Sequence, residues 1–130
     1  VRPGKIGVTG YCMGGGLALK TAEHFPERIA VAASFHAGRL ATDAPTSPHL
    51  LLNQVKARLY FGHADADESM PAEQIKRLET ALAAAKLRYE SEIYSGAVHG
   101  FTMADLPAYN EAAFNRHWEK LAELLSAELL

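Results

Sequence analysis

The stretch from Lys5 to Gly16, KIGVTGYCMGGG, constrains the fold more than any other part of the chain. Ile6, Val8 and their neighbours form a short apolar run suited to a strand buried on both faces, and the run stops where glycines begin. Cys12, the only cysteine, stands at that corner with Gly10 two residues before it and Gly14 two residues after. A nucleophile on so tight a strand-to-helix turn takes strained backbone angles, and small residues on either side let strand and helix pass close. Gly14, Gly15 and Gly16 open an apparent helix, where each costs roughly 1 kcal/mol relative to alanine, so a close approach is expected there. The bland alternative is a small buried thiol with a packing role only.

The rest of the chain alternates strand and helix. Leu17, Ala18, Thr21, Ala22 and Phe25 follow at helical spacing until Pro26 stops the helix. Ile29 to Phe35, IAVAASF, reads as a buried parallel strand, and Arg39 to Gln54, with Pro45 and Pro48, as a loop with one helical turn near His49 to Asn53. Ala57 to Gly62 is a third strand. Pro71 starts a helix carrying Ile75, Leu78, Leu82 and Ala85, with Glu73 and Arg77 paired on its outer side. Arg88 to Tyr94 alternates like an edge strand with one wetter face. Near Asn110 to Leu130 a last helix sets Phe114, Trp118, Leu121, Leu125 and Leu129 on one broad face. Strands separated by helical crossovers imply an α/β fold with a mostly parallel sheet between two helical layers.

Ligands of such sheets bind at the carboxyl ends of the strands, and Cys12, His36, Asp65, Asp67 and His99 all fall there. His24, His49 and His117 have no motif around them and read as surface or half-buried residues. His36 ends a strand, which suits a pocket residue and a packed histidine hydrogen-bonded to a loop equally. His63-x-Asp65-x-Asp67 has hard-ligand spacing but no second histidine cluster, so no metal is expected.

Composition removes other classes. The chain has 130 residues, 48% hydrophobic and 22% charged, a size for one domain with a sizeable core, and its net charge of -2 without a basic stripe speaks against nucleic acid. No apolar stretch has transmembrane length and no basic signal-peptide start is visible, which with a lone cysteine makes the cytoplasm the expected location. The chain starts at Val1 without an initiator methionine and enters a strand almost at once, as a piece of a longer protein would.

GYCMGG at Gly10 to Gly15, GHADADESMP at Gly62 to Pro71 and AVHGF at Ala97 to Phe101 together resemble the dienelactone hydrolase family, within the α/β-hydrolases. The resemblance spans the whole chain but only the later half of that fold, so 1–130 would be one partial domain. It implies hydrolysis of a small-molecule carboxylic ester or lactone, without a cofactor, through an acyl-cysteine. By motif position it makes Cys12 the nucleophile, His99 the base and an aspartate of GHADADESMP the acid. The family's acid satisfies spacings from both Gly62 and Pro71, whereas extra residues separate them here. Asp67 is favoured because Pro71 starts the helix that pins the loop and the matching Glu73 and Gln74 extend the resemblance beyond that anchor, with Asp65 as the alternative.

The N–H of Met13 would hold the oxyanion, and Tyr11, His36, Phe101 and Met103 are candidate pocket residues. The helix N-terminus and a charged imidazole would lower a thiol pKa of about 8.5. Where dienelactone hydrolases proper carry an arginine for the substrate carboxylate, this chain has Met103, which points to a less acidic or bulkier ester. The second oxyanion donor and the strands beside the first one would precede Val1, which leaves an exposed edge prone to self-association and this chain alone weakly active or inactive. A non-catalytic α/β module with a binding role is the alternative function. A redox-sensing thiol is a third reading, without a resolving cysteine in the chain.

Overall fold

A computed structural model of the chain describes residues 4–130; Val1, Arg2 and Pro3 lie outside them. Four strands, β1 (Ile6–Tyr11), β2 (Ile29–Phe35), β3 (Arg58–Ala64) and β4 (Tyr89–Tyr94), form one sheet in the order β1-β2-β3-β4. Every neighbouring pair is parallel. Helix α1 (Met13–His24) joins β1 to β2, α2 (Ala72–Ala84) joins β3 to β4, and α3 (Glu111–Leu129) ends the chain. The loop expected between β2 and β3 carries a kinked 3-10 segment over Pro48–Gln54. Helix α1 stops at His24, two residues before Pro26, and α2 starts directly after Pro71.

The continuous apolar run of β2 is buried at all seven residues, and its side chains divide between two cores, alternating from Val31 onward, with Ile29 set apart by the register irregularity against β1 between Ile6 and Gly7. Ile29 and Ala32 join Leu59 and Phe61 of β3 in one core, closed by Leu19 and Ala22 of α1 and by Ile75, Leu78 and Leu82 of α2. Val31, Ala33 and Phe35 join Tyr60, Tyr94 and Phe101 in the other, closed by Ala113, Leu121 and Leu124 of α3. The sheet therefore lies between α1 and α2 on one side and α3 on the other, a three-layer α/β/α arrangement.

Two expectations of burial are corrected. Strand β1 is not buried on both faces: it is an edge strand among the described residues, Ile6 is 41% exposed, and only Gly10 of its six residues is buried. Helix α3 also turns a different face inward. Ala113, His117, Lys120, Leu121 and Leu124 are buried, while Trp118 is 52% exposed.

The rotation of α3 follows from what β4 and β1 offer. Glu90 and Glu92 of β4 lie beside α3, where Lys120 reaches Glu90 at 2.8 Å and Arg116 reaches Glu92 at 3.2 Å. Lys120 also lies 5.6 Å from the Tyr60 ring, so its stem covers apolar surface while its charge is paired. His117, expected at the surface or half-buried, is 1% exposed because Tyr11 donates its O–H to His117 Nε2 at 2.5 Å and His117 Nδ1–H donates to the Phe114 carbonyl at 3.2 Å. A hydrophobic-stripe argument misses such a side chain, since its burial depends on partners from another element.

Candidate active site

The β1–α1 corner is as tight as its glycines suggested, but the constraint falls on other atoms than expected. Cys12 has φ 54° and ψ -125°, left-handed backbone that costs of order 1–3 kcal/mol for a residue with a Cβ. A Cβ placed on Gly10 would lie 1.8 Å from the Gly14 carbonyl oxygen, whereas a Cβ on Gly14 would meet nothing within 4 Å. The close approach is thus Gly10 against the backbone of Gly14, and the side chain of residue 14 is free. Gly15 is needed too: its Cβ would come within 2.4 Å of Ser34 Oγ and 2.6 Å of Ala37 Cβ, where α1 lies on the end of β2.

The corner presents Cys12 Sγ to His36, which follows β2 directly. Sγ lies 3.2 Å from His36 Nδ1, and His36 Nε2 lies 2.8 Å from Thr102 Oγ1. The His36 ring is fully buried, its backbone N–H donates to the Gly62 carbonyl at 2.8 Å, and the Phe101 ring stands edge-on to it at 4.7 Å. Burial first, and the neighbouring His99 second, push the His36 pKa down to about 4, so the ring is neutral near pH 7. With a protonated thiol, S–H donates to Nδ1 and Nε2–H donates to Thr102.

A second imidazole stands beside the first. The His36 and His99 ring centroids are 5.6 Å apart, and one donor atom from each of Cys12, His36 and His99 lies within 4.8 Å of the other two. His99 Nδ1–H donates to Asp67 Oδ2 at 2.7 Å, leaving Nε2 as the free nitrogen. The other oxygen of Asp67 accepts from the backbone N–H of Ser69 at 2.9 Å and from its hydroxyl at 2.7 Å. Burial works to raise the Asp67 pKa, but the hydrogen bonds from Ser69 and His99 outweigh it and hold the carboxyl below its ordinary range.

The two aspartates therefore do different things. Asp65 holds the loop after β4: its Oδ2 accepts from Gly96 N–H at 2.8 Å, and its own N–H donates to the Ala97 carbonyl at 2.6 Å. His63 is 2% exposed and stacks on Phe61, with Nε2 2.9 Å from Ser91 Oγ. His63, Asp65 and Asp67 thus have separate partners and form no common ligand set.

Several expectations about the surroundings change with these contacts. The thiol is not lowered: burial, and then the negative charge of Asp67, raise the Cys12 pKa above its ordinary value. Its hydrogen bond goes to a neutral ring and not to a charged one, which removes the stabilisation a thiolate would need. Phe101 is fully buried, stacked on Tyr94 at 5.1 Å and edge-on to His36 at 4.7 Å, so it packs against the His36 ring and presents no surface to a ligand. Tyr11 turns toward His117, and Met103 stays half-buried beside Thr102. Met13 is the first residue of α1, where a backbone N–H has no acceptor within the helix. Its side chain helps line a cavity of about 260 Å³ with Gly16, Lys20 and Arg39. Ser69 and Thr102 escaped the sequence reading. For Ser69 the signal was an Asp-x-Ser turn at Asp67, whereas Thr102 acquires its role only through the placement of His36.

The sequence profile of the dienelactone hydrolase family matches residues 1–129. Among curated proteins the chain is 28% identical over 123 residues to a protein of Escherichia coli (strain K12) named "Putative carboxymethylenebutenolidase", covering 92% of this chain and 45% of that one. A protein of the same name from Synechocystis sp. is 28% identical over 131 residues, covering 99% and 53%. The chain thus spans about half the length of the curated relatives it matches. Among solved structures, the "Putative Dienelactone Hydrolase" of Klebsiella pneumoniae superposes with a TM-score of 0.84 at 22% identity, over 92% of this chain and 51% of that one. The dienelactone hydrolase-like promiscuous phosphotriesterase P91 from metagenomic libraries gives 0.83 at 23%, over 98% and 54%. These likenesses establish an α/β-hydrolase-like fold, and with the profile match they show that the chain belongs to the dienelactone hydrolase family.

Proposed function

We propose that the protein hydrolyses a small carboxylic ester or lactone through an acyl-cysteine on Cys12, with His99 as base and acid and Asp67 as the group that orients it. The observation that carries this reading is the Asp67–His99 hydrogen bond of 2.7 Å beside a thiol on a strained strand-to-helix corner. Asp67 fixes the proton of His99 on Nδ1, which leaves the lone pair on Nε2 free, and one ring nitrogen of His99 lies within 4.8 Å of Cys12 Sγ.

In the reaction Sγ leaves His36 and attacks the carbonyl carbon while His99 Nε2 takes the thiol proton. The carbonyl π electrons become the oxyanion, which the Met13 N–H receives. Collapse re-forms the carbonyl and expels the alkoxide, which takes the proton from His99. Water then attacks the thioester with His99 again removing a proton, and that proton returns to Cys12 as the acid departs. The raised thiol pKa suits this order, since the proton moves to His99 only when an electrophile is present. Met103 in place of an arginine supports a substrate less acidic than a dienelactone.

The test is intact-mass analysis of the purified protein during turnover of a p-nitrophenyl ester. An acyl adduct on Cys12 should build up, disappear in Cys12→Ala, and form about 10²–10⁴-fold more slowly in His99→Gln. Full turnover by Cys12→Ala would overturn the reading, and equal acylation with and without the His99 imidazole would remove His99 from it.

A further inference from the structure

The pairing of His36 with the thiol has a consequence that ester hydrolysis does not use. Two imidazoles and one sulfur converge on one point, and each imidazole has its far nitrogen held by an oxygen: His36 Nε2 by Thr102 Oγ1 at 2.8 Å and His99 Nδ1 by Asp67 Oδ2 at 2.7 Å. We propose that Cys12, His36 and His99 form a binding site for Zn²⁺ and that occupation of this site silences the thiol. Silencing rests on the hydrolase reading, whereas the site itself rests on the geometry.

Sulfur and imidazole nitrogen are the donors that Zn²⁺ takes, at about 2.3 Å and 2.0–2.1 Å. A tetrahedral ion with those bond lengths sets its donors about 3.3–3.6 Å apart. Sγ and His36 Nδ1, at 3.2 Å, come within about 0.4 Å of that spacing. The remaining donor separations lie within 4.8 Å and need to close by no more than about 1.5 Å. The groups that must move are the accessible ones. The His99 side chain is 43% exposed and Cys12 is half-buried, whereas His36 is locked in place by Thr102, Phe101 and its own backbone bond to Gly62.

The far-side oxygens supply what imidazole ligands of zinc have around them. An acceptor on the second nitrogen fixes the tautomer, turns the lone pair toward the ion and raises its basicity; removing such an acceptor costs 10–100-fold in affinity. Binding replaces the S–H bond by S–Zn, and the thiol proton leaves to solvent. Three protein ligands leave a fourth position for water. The lone pairs engaged are those that hydrolysis needs on Sγ and His99, so metal and ester compete. The hard-ligand spacing at His63-x-Asp65-x-Asp67, by contrast, assembles nothing.

The experiment titrates the purified, chelator-treated protein with Co²⁺, read by its thiolate charge-transfer absorption, and with Zn²⁺, read by calorimetry and by inhibition of ester turnover. One equivalent should bind, with a charge-transfer band absent from Cys12→Ser. Affinity should fall at least tenfold in His36→Gln and 10–100-fold in Thr102→Val, a milder change that keeps all three ligands. Zn²⁺ should stop turnover, and EDTA should restore it. The absence of the charge-transfer band, or a Zn²⁺ affinity unchanged in both His36→Gln and Thr102→Val, would overturn the site. Turnover persisting with the site filled would overturn the silencing. A protein that binds Zn²⁺ as described but cleaves no ester supports the site and refutes only the hydrolase reading.

Discussion

Replacing Gly10 by alanine should damage this protein far more than replacing Gly14, although the two glycines look equivalent around Cys12 in the sequence. A Cβ on Gly10 would lie 1.8 Å from the Gly14 oxygen, 2.3 Å from its carbonyl carbon and 2.8 Å from Gly15 N. All three are backbone atoms, so no rotamer change relieves the overlap. Restoring even a 3.0 Å contact requires β1 and the first turn of α1 to separate by about 1.2 Å. Overpacking of this kind costs about 1–3 kcal/mol and more when backbone must yield, so about 3 kcal/mol is expected. In a domain of this size that lowers Tm by roughly 10 °C. The same displacement moves Sγ by the order of 1 Å, and misplacement on that scale costs about 10²-fold in rate. Gly14→Ala meets nothing within 4 Å and exchanges a poor helix former for the best one, a gain of up to about 1 kcal/mol. Thermal and urea unfolding of both variants, with ester turnover measured on the fraction still folded, decides the matter. A Gly10→Ala protein with unchanged Tm, or a Gly14→Ala protein equally harmed, would refute the close approach as the reason for the glycine.

Glu23 is 1% exposed with neither carboxylate oxygen hydrogen-bonded among the described residues, and burial, against the opposing charge of Lys20, raises its pKa to about 7. Because its folded pKa lies above the ordinary value of 4.5, the native state holds the extra proton between those values. Stability should therefore fall as pH rises from about 4.5 to 7, by about 1–3 kcal/mol, and level off beyond. Glu23→Gln should flatten that slope in urea unfolding at pH 5 and 8, and an unaltered slope would assign it to other groups. Asp67→Asn should cut turnover about 10²–10⁴-fold with little change in Km, whereas Asp65→Asn should chiefly loosen the loop after β4 and lower Tm by a few degrees. The reverse result in steady-state kinetics would exchange their roles. Expressed alone, this chain should self-associate through the β1 edge, where Ile6 is 41% exposed, and light scattering that finds a monomer at all concentrations would exclude it.

The chain by itself determined the fold class because its signals are local. A seven-residue apolar run is too short for a buried helix, Pro26 and Pro71 punctuate the helices, and G-x-C-x-G marks a corner whose steric demand is met within five residues. The placement of Cys12, Asp67 and His99 at one edge was legible for the same reason, since parallel strands with helical crossovers bring all their carboxyl ends together. The spacing from Pro71 favoured Asp67 over Asp65 without removing Asp65, and the contact itself depended on the folded loop after β3, where Ser69 holds one oxygen of Asp67 and the other reaches His99. Which glycine bears the close contact, that the thiol rests on His36, and that α3 buries His117 and Lys120 were decided by tertiary structure alone. The glycine contact depends on the exact backbone path of the corner, and the other two depend on atoms 24 to 106 residues apart in the chain; hydrophobic periodicity carries no information about a polar group until its partner is in place.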